Sequence, residues 1–125
     1  TAMAYLDNTE EGGMASGSAY TFKTAAGVDL DIPANAVITN VRLDCVAAFT
    51  SGTSAATVAL GVIAADDVKS ATLVTATPFN KTTTLEGILL KTTVASQLSA
   101  TIGVEAITAG RMVALVDYFV TEVTA

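Results

Sequence analysis

Apolar residues in this chain recur at every second position, separated by Thr, Ser, Asn or Asp, in one segment after another. A two-residue period puts one set of side chains on each face of an extended backbone, so it commits the chain to half-buried β-strands and excludes a helical bundle. The clearest instance follows Pro33, where Val37, Thr39, Val41, Leu43, Cys45 and Ala47 share one face and Asn40, Arg42 and Asp44 the other. Ser51-Gly52-Thr53-Ser54 then supplies a turn, and Ala56, Val58, Leu60 and Val62 restart the pattern opposite Thr57, Ala59 and Gly61. These two segments are expected to pair, or to face each other across a sandwich.

In the carboxyl-terminal third, Ala100, Ile102, Val104 and Ala106 alternate, Thr108-Ala109-Gly110 reads as a turn, and Met112 to Val120 returns. This predicts a hairpin whose second strand, apolar on both faces, is central or covered by a partner. Residues 82 to 94 read as a strand with a bulge near Gly87, and the segments Ala19 to Lys23 and Val28 to Ile32 flank a tight turn at Ala25-Ala26-Gly27. Asp66 to Val74 breaks the alternation, with acidic residues just ahead of Val68, Ala71 and Leu73, and predicts one short capped helical turn. Together these segments predict an all-β fold, an antiparallel β-sandwich or jelly roll of about seven or eight strands.

A chain of 125 residues suits one core. Residues 1–18 join the apolar patch Met3 to Leu6 to a polar, glycine-rich run, which predicts an extended amino-terminal arm ahead of a single β-sandwich domain over residues 19–125.

The side-chain inventory narrows function. There is no His, no Trp and one Cys. Proton transfer near neutral pH most often uses His, so the usual triads and dyads cannot be assembled. The carboxylate pairs Glu10 and Glu11, Asp29 and Asp31, and Asp66 and Asp67 read as solvated loop surface. Cys45, on the inward face of its strand between Leu43 and Ala47, reads as a small buried hydrophobe. One Cys without His cannot furnish a tetrahedral zinc set. Asp29, Asp31, Asp66 and Asp67 could offer oxygen to calcium, but in no calcium-loop spacing. Neither a phosphate-binding lysine loop nor a dinucleotide glycine fingerprint occurs. The expectation is a protein that is not an enzyme, with no catalytic residue, cofactor or metal.

A formal charge of -6 would repel phosphate backbones, so nucleic acid is not an expected partner. The longest apolar runs, such as Met112 to Val116, are about five residues against the roughly 20 of a membrane helix, and no membrane segment or retained secretory signal is expected.

The stretch from Asp31 to Val41, the segments Ala47 to Ala55 and Val58 to Val62, and the run Ile107-Thr108-Ala109-Gly110-Arg111 leading to Val116-Asp117-Tyr118 resemble small tailed-bacteriophage virion proteins. The resemblance spans about residues 30 to 120 and implies a capsid decoration, or cement, protein. Such a subunit is β-rich, commonly a homotrimer, and braces the major capsid protein on the outer surface of the virion head; the group carries no catalytic residues. On that reading Met3, Tyr5 and Leu6 of the arm are the expected capsid contacts, and Val116, Tyr118 and Val120 the expected subunit interface. The alternative is a carbohydrate- or receptor-binding module of a tail fibre or adhesin, built on Tyr20 or Tyr118. A carboxylate-using β-sandwich enzyme is a third, weaker reading.

Overall fold

In the computed structural model, which describes residues 2–80 and 82–121, the alternating segments form ten strands and no helix. The expected ends of the arm and of the domain, residues 1 and 122–125, lie outside the described residues. The strands are β1 (Ala2–Asp7), β2 (Ala19–Thr21), β3 (Asp31–Ile32), β4 (Ala36–Ser51), β5 (Thr57–Gly61), β6 (Lys69–Leu73), β7 (Thr83–Lys91), β8 (Ser96–Gln97), β9 (Ser99–Gly103) and β10 (Ile107–Val120). They make two four-stranded antiparallel sheets, ordered β1-β10-β4-β7 and β2-β9-β5-β6, and a small β3-β8 ladder. The all-β, sandwich-like architecture is as expected. Ten strands replace seven or eight because residues 2–7, expected as an arm, and Lys69–Leu73, expected within a helical turn, are strands, and the two-residue β8 is too short to show a period.

One hydrophobic cluster joins the two sheets: Leu6, Ile38, Val41, Leu43, Met112 and Val116 from the first meet Val58, Leu60, Ala100 and Ile102 from the second. Phe22, Phe79 and Leu98 fill the same interior from the connections. The β4 and β5 segments therefore face each other across the sandwich, the second of the two expected arrangements.

The expected carboxyl-terminal hairpin does not form. Strand β9 pairs with β5 and β2, whereas β10 lies in the other sheet between β1 and β4. Residues 104 to 106 cross between sheets, and Thr108-Ala109-Gly110 belongs to β10. Gly110 is needed because Phe49 lies across it: a Cβ there would sit 2.6 Å from the Phe49 ring, and φ is +139°. Freed to turn inward, Phe49 meets Phe79 edge-on with ring centroids 5.7 Å apart.

A single alternation does not run through β4. Against β10 the register shifts at Thr39, at Val46 and between Ala47 and Thr50, each an extra residue on β4, and at Thr108, an extra residue on β10. Ala36 and Ile38, then Val41, Leu43 and Cys45, then Phe49 and Ser51 all point inward, while Val37, Thr39 and Ala47 do not. A bulge bends and re-phases a strand, which is how sixteen residues keep their large side chains on the core.

Three polar side chains hold the connections. The Thr92 hydroxyl, fully buried, donates to the Pro33 carbonyl at 2.7 Å and accepts from the Ala36 N–H at 3.0 Å, pinning the start of β4. The Asp67 carboxylate accepts from the backbone N–H groups of Val62, Ile63 and Ala64 at 2.8–3.0 Å. That cap folds residues 62 to 67 back over Gly61 and replaces the expected helical turn; the acidic signal was real, but the amides it satisfies precede it. Glu105 ties the crossover to the β4–β5 loop, accepting from the Ser51 and Thr53 hydroxyls and the Thr53 and Ala55 N–H groups at 2.5–3.0 Å. It holds its neighbour Val104 at φ 73°, a left-handed conformation that a β-branched residue adopts only under constraint.

The expected arm is not free. Residues 2–7 pair with β10 from Ala2↔Val116 to Asp7↔Arg111, and Ala4 and Leu6 are in the core. The glycine-rich loop that follows is tied down by N–H donation from Asn8 to the Gly110 carbonyl and from Gly17 to the Ile102 carbonyl, and Met14 is buried beside Ile107. Removing residues 1–15 would strip a strand and the core side chains of Ala4, Leu6 and Met14, not a detachable tail.

Gly110→Ala should therefore lower stability by about 1–3 kcal/mol through overpacking against Phe49, read as a lower urea midpoint at unchanged slope. Hydrogen bonds, the Ser51 hydroxyl first and the Ala55 and Thr53 amides next, pull the Glu105 carboxyl down to about 2 from its ordinary 4.5. A depressed carboxylate stabilises the fold above the unfolded value and loses that effect as pH falls through the folded one. Glu105→Gln should accordingly lower the melting temperature by a constant margin above pH 5, with the margin shrinking between about pH 4.5 and 2.

Candidate interaction surface on the larger sheet

The face of the β1-β10-β4-β7 sheet turned away from the core gathers exposed apolar side chains from all four strands. Strand parity builds it: where Ala4, Leu6, Met112, Ala114, Val116, Leu43 and Val41 point in, their neighbours point out. The register sets Met3, Leu115, Arg42 and Leu85 in one row across all four strands, and Tyr5, Val113, Asp44 and Thr83 in the next. Leu89 and Phe119 extend the apolar area towards the end of the sheet at which β4 begins. Met3 is 49% exposed, Leu85 61% and Leu89 78%, far more than a sheet with a covered face would allow.

Two ion pairs lie on this face. Arg42 meets Asp117 at 3.5 Å, and Arg111 lies 3.8 Å from Asp7 with its guanidinium 5.5 Å from the centre of the Tyr5 ring. The outer face of the second sheet differs in kind. Its cross-strand pairs Thr57 with Gly103, Ala59 with Thr101 and Gly61 with Ser99 are all small.

Of the expected contact residues, Met3 and Tyr5 project from this outer face, whereas Leu6 is in the core. The expected subunit interface is likewise split. Val116 is fully buried, Tyr118 packs half-buried against the core, and Val120 is exposed at the end of β10. The three keep one parity, opposite the core residues Val41, Ile38 and Ala36, and differ only because exposure rises towards the end of the strand. Neither Leu6 nor Val116 can touch another molecule while the sandwich is intact. Leu115, Val113 and Leu85, which the sequence reading did not select, share the row and face of Met3 and Tyr5; the alternation of β10 contained the signal.

The carboxylate candidates are dispersed and engaged. Asp29 pairs with Lys23 at 3.0 Å, Asp31 accepts from the Gln97 amide at 2.7 Å, Asp67 caps its turn, and Glu11 lies 3.7 Å from Lys23. Among the described residues no three acidic or Cys side chains converge as metal ligands would. Cys45 is buried, with its thiol 3.3 Å from the Ala47 carbonyl, in keeping with the reading of a small core residue. The aromatic residues form no platform either. The Tyr20 hydroxyl accepts from the Ala15 N–H at 2.7 Å, Phe22 is core, and Tyr118 and Phe119 lie on opposite sides of their strand. A small cleft of about 170 Å³, lined by Tyr5, Asp7, Glu10, Thr24, Ala25 and Arg111, falls below the roughly 300–1,000 Å³ of ordinary ligand pockets.

No protein-family model matches the sequence, and a search of curated proteins gave no match. Among solved structures, the chain is similar to one from the acidic stable capsid structure of Helicobacter pylori bacteriophage KHP30. The two share 16% identity with a TM-score of 0.64, over 95% of this chain and 86% of that one. At that identity the likeness is one of fold, and it extends over nearly the whole of both chains.

Substitutions should separate the outer face from the core. Leu6→Ala and Met112→Ala should each cost about 2–5 kcal/mol in urea unfolding. Met3→Asn and Phe119→Asn, on the outer face away from β7, should stay within about 0.5 kcal/mol of the parent.

Proposed function

We propose that this protein is a structural component of a tailed-phage virion, a decoration or cement subunit that binds the outer face of the head and stabilises the shell. The observation that carries the reading is the fold shared, end to end, with a chain of a phage capsid structure. The outer face of the larger sheet supports it. An apolar patch rimmed by paired charges is a surface that gains by being covered by protein. The acidic balance of 12 Asp and Glu against 6 Lys and Arg suits the outside of a shell better than the vicinity of packaged DNA.

The mechanism is mechanical. A subunit that binds the mature lattice of the major capsid protein, and not its precursor, stabilises the mature form by mass action without any chemical step. Met3 and Tyr5, from the original contact set, are the anchors, with Leu115 and Val113 completing the patch between them. Clustering at the centre of such a patch is where binding energy concentrates.

The test is co-sedimentation of the purified protein with expanded, DNA-free heads from which this subunit has been stripped. Saturable binding is expected, together with a higher temperature of head rupture. Met3→Asp combined with Tyr5→Ala should weaken binding at least tenfold while leaving the melting temperature of the free protein nearly unchanged. Absence of binding by the unaltered protein, or glycan-array binding in its place, would remove the reading.

A further inference from the structure

The two edges of the larger sheet are finished differently. On the β1 side the chain covers its own edge: the Tyr5 N–H donates to the Lys23 carbonyl at 2.7 Å and the Lys23 N–H to the Tyr5 carbonyl at 2.9 Å. On the opposite side β7 runs for nine residues, and among the described residues no strand or bridge pairs with its far side. An open edge of that length is a template for another strand.

What β7 offers is self-complementary. Thr83, Leu85, Gly87, Leu89 and Lys91 form its exposed set, with Gly87 at the midpoint and a leucine two residues to either side. The bulge between Gly87 and Leu90 leaves this alternation unbroken. We propose that β7 pairs antiparallel with β7 of a second copy of this chain, about a two-fold axis through Gly87, joining two four-stranded sheets into one of eight strands. In this register each Leu85 lies opposite Leu89 of the other copy, so four exposed leucines cover one another, and the glycines meet at the axis without side chains to clash.

Charge fixes the same register. Two-fold pairing about Gly87 sets Lys91 of one copy opposite Thr83 of the other. Thr83 stands beside Asp44 in the sheet and donates its hydroxyl to the Asp44 carboxylate at 3.1 Å. Among the described residues neither Lys91 nor Asp44 has an ion-pair partner in its own chain. Pairing brings the Lys91 ammonium to the Asp44 carboxylate at both ends of the joined strands, and a slip of register separates them.

The proposal concerns the free protein and does not rest on the virion reading. Sedimentation equilibrium of the unaltered chain should give a two-fold mass, or an even multiple of it. Gly87→Cys should link into a dimer on mild oxidation, because opposed residues of an antiparallel pair have Cα atoms about 4.5–5.5 Å apart, within the roughly 4.4–6.8 Å a disulfide spans. Open space surrounds a Cβ at Gly87, and buried Cys45 serves as the internal control. Thr83→Cys alone should stay unlinked, while a mixture of Thr83→Cys and Lys91→Cys proteins should link. Lys91→Asp should raise the dissociation constant at least tenfold, and Asp44→Lys added to it should restore dimerisation. A monomer at 0.1 mM order of concentration, or a trimer whose Gly87→Cys form remains unlinked, overturns the proposal. Met3 and Tyr5 lie on the opposite edge, so loss of head binding and loss of β7 pairing are scored separately.

Discussion

Everything in this fold hangs on the ladder between β4 and β10. Strands of sixteen and fourteen residues, on the order of 50 Å when extended, greatly exceed the usual five or six. A sheet that long twists, and its inner face would rotate away from the opposing sheet unless the strands were re-phased along their length. The extra residues at Thr39, at Val46 and between Ala47 and Thr50 do this, bringing successive apolar groups of β4 back to one core. Strand β1 attaches to β10 and β7 to β4, so the whole larger sheet inherits the geometry of the central pair.

The ladder explains the asymmetry of the surface. Its inner residues are aliphatic and meet the second sheet, yet its outer residues are also largely apolar, which one buried face does not require. Meanwhile the second sheet shows small residues outward, and at Gly103 a Cβ would lie 2.6 Å from the Thr57 hydroxyl. The acidic side chains are spent on architecture: Asp67 and Glu105 satisfy backbone amides, while Asp7 and Asp117 hold arginines flat on the sheet. What is left towards the exterior of the larger sheet is an apolar face and, at β7, an edge without a strand partner among the described residues.

Much of the fold was legible because period-two alternation is a local property. It identified the strands from Val41 to Cys45, from Val58 to Leu60 and on either side of Gly87, and the tight turn at Gly27, where the Gly27 N–H donates to Thr24. The contact residues were half legible for the same reason. Met3 and Tyr5 share one parity and Ala4 and Leu6 the other, so a strand reading of residues 2–7 would have put Leu6 inside; the polar run after it disguised the strand as an arm. At Val116, Tyr118 and Val120 the shared parity was real, but the face it defines is the core face, opposite Val41, Ile38 and Ala36.

The amino-acid sequence by itself determined that the chain would be rich in half-buried strands, acidic, without His and with a single Cys, because these follow from composition and from nearest-neighbour patterning. Only the tertiary structure decided which strands share a sheet. Whether Ser99 to Val120 folds as a hairpin or divides between two sheets depends on Gly110 admitting the Phe49 ring and on Glu105 reaching the β4–β5 loop. Those contacts join residues some fifty to sixty positions apart, and no local period records them.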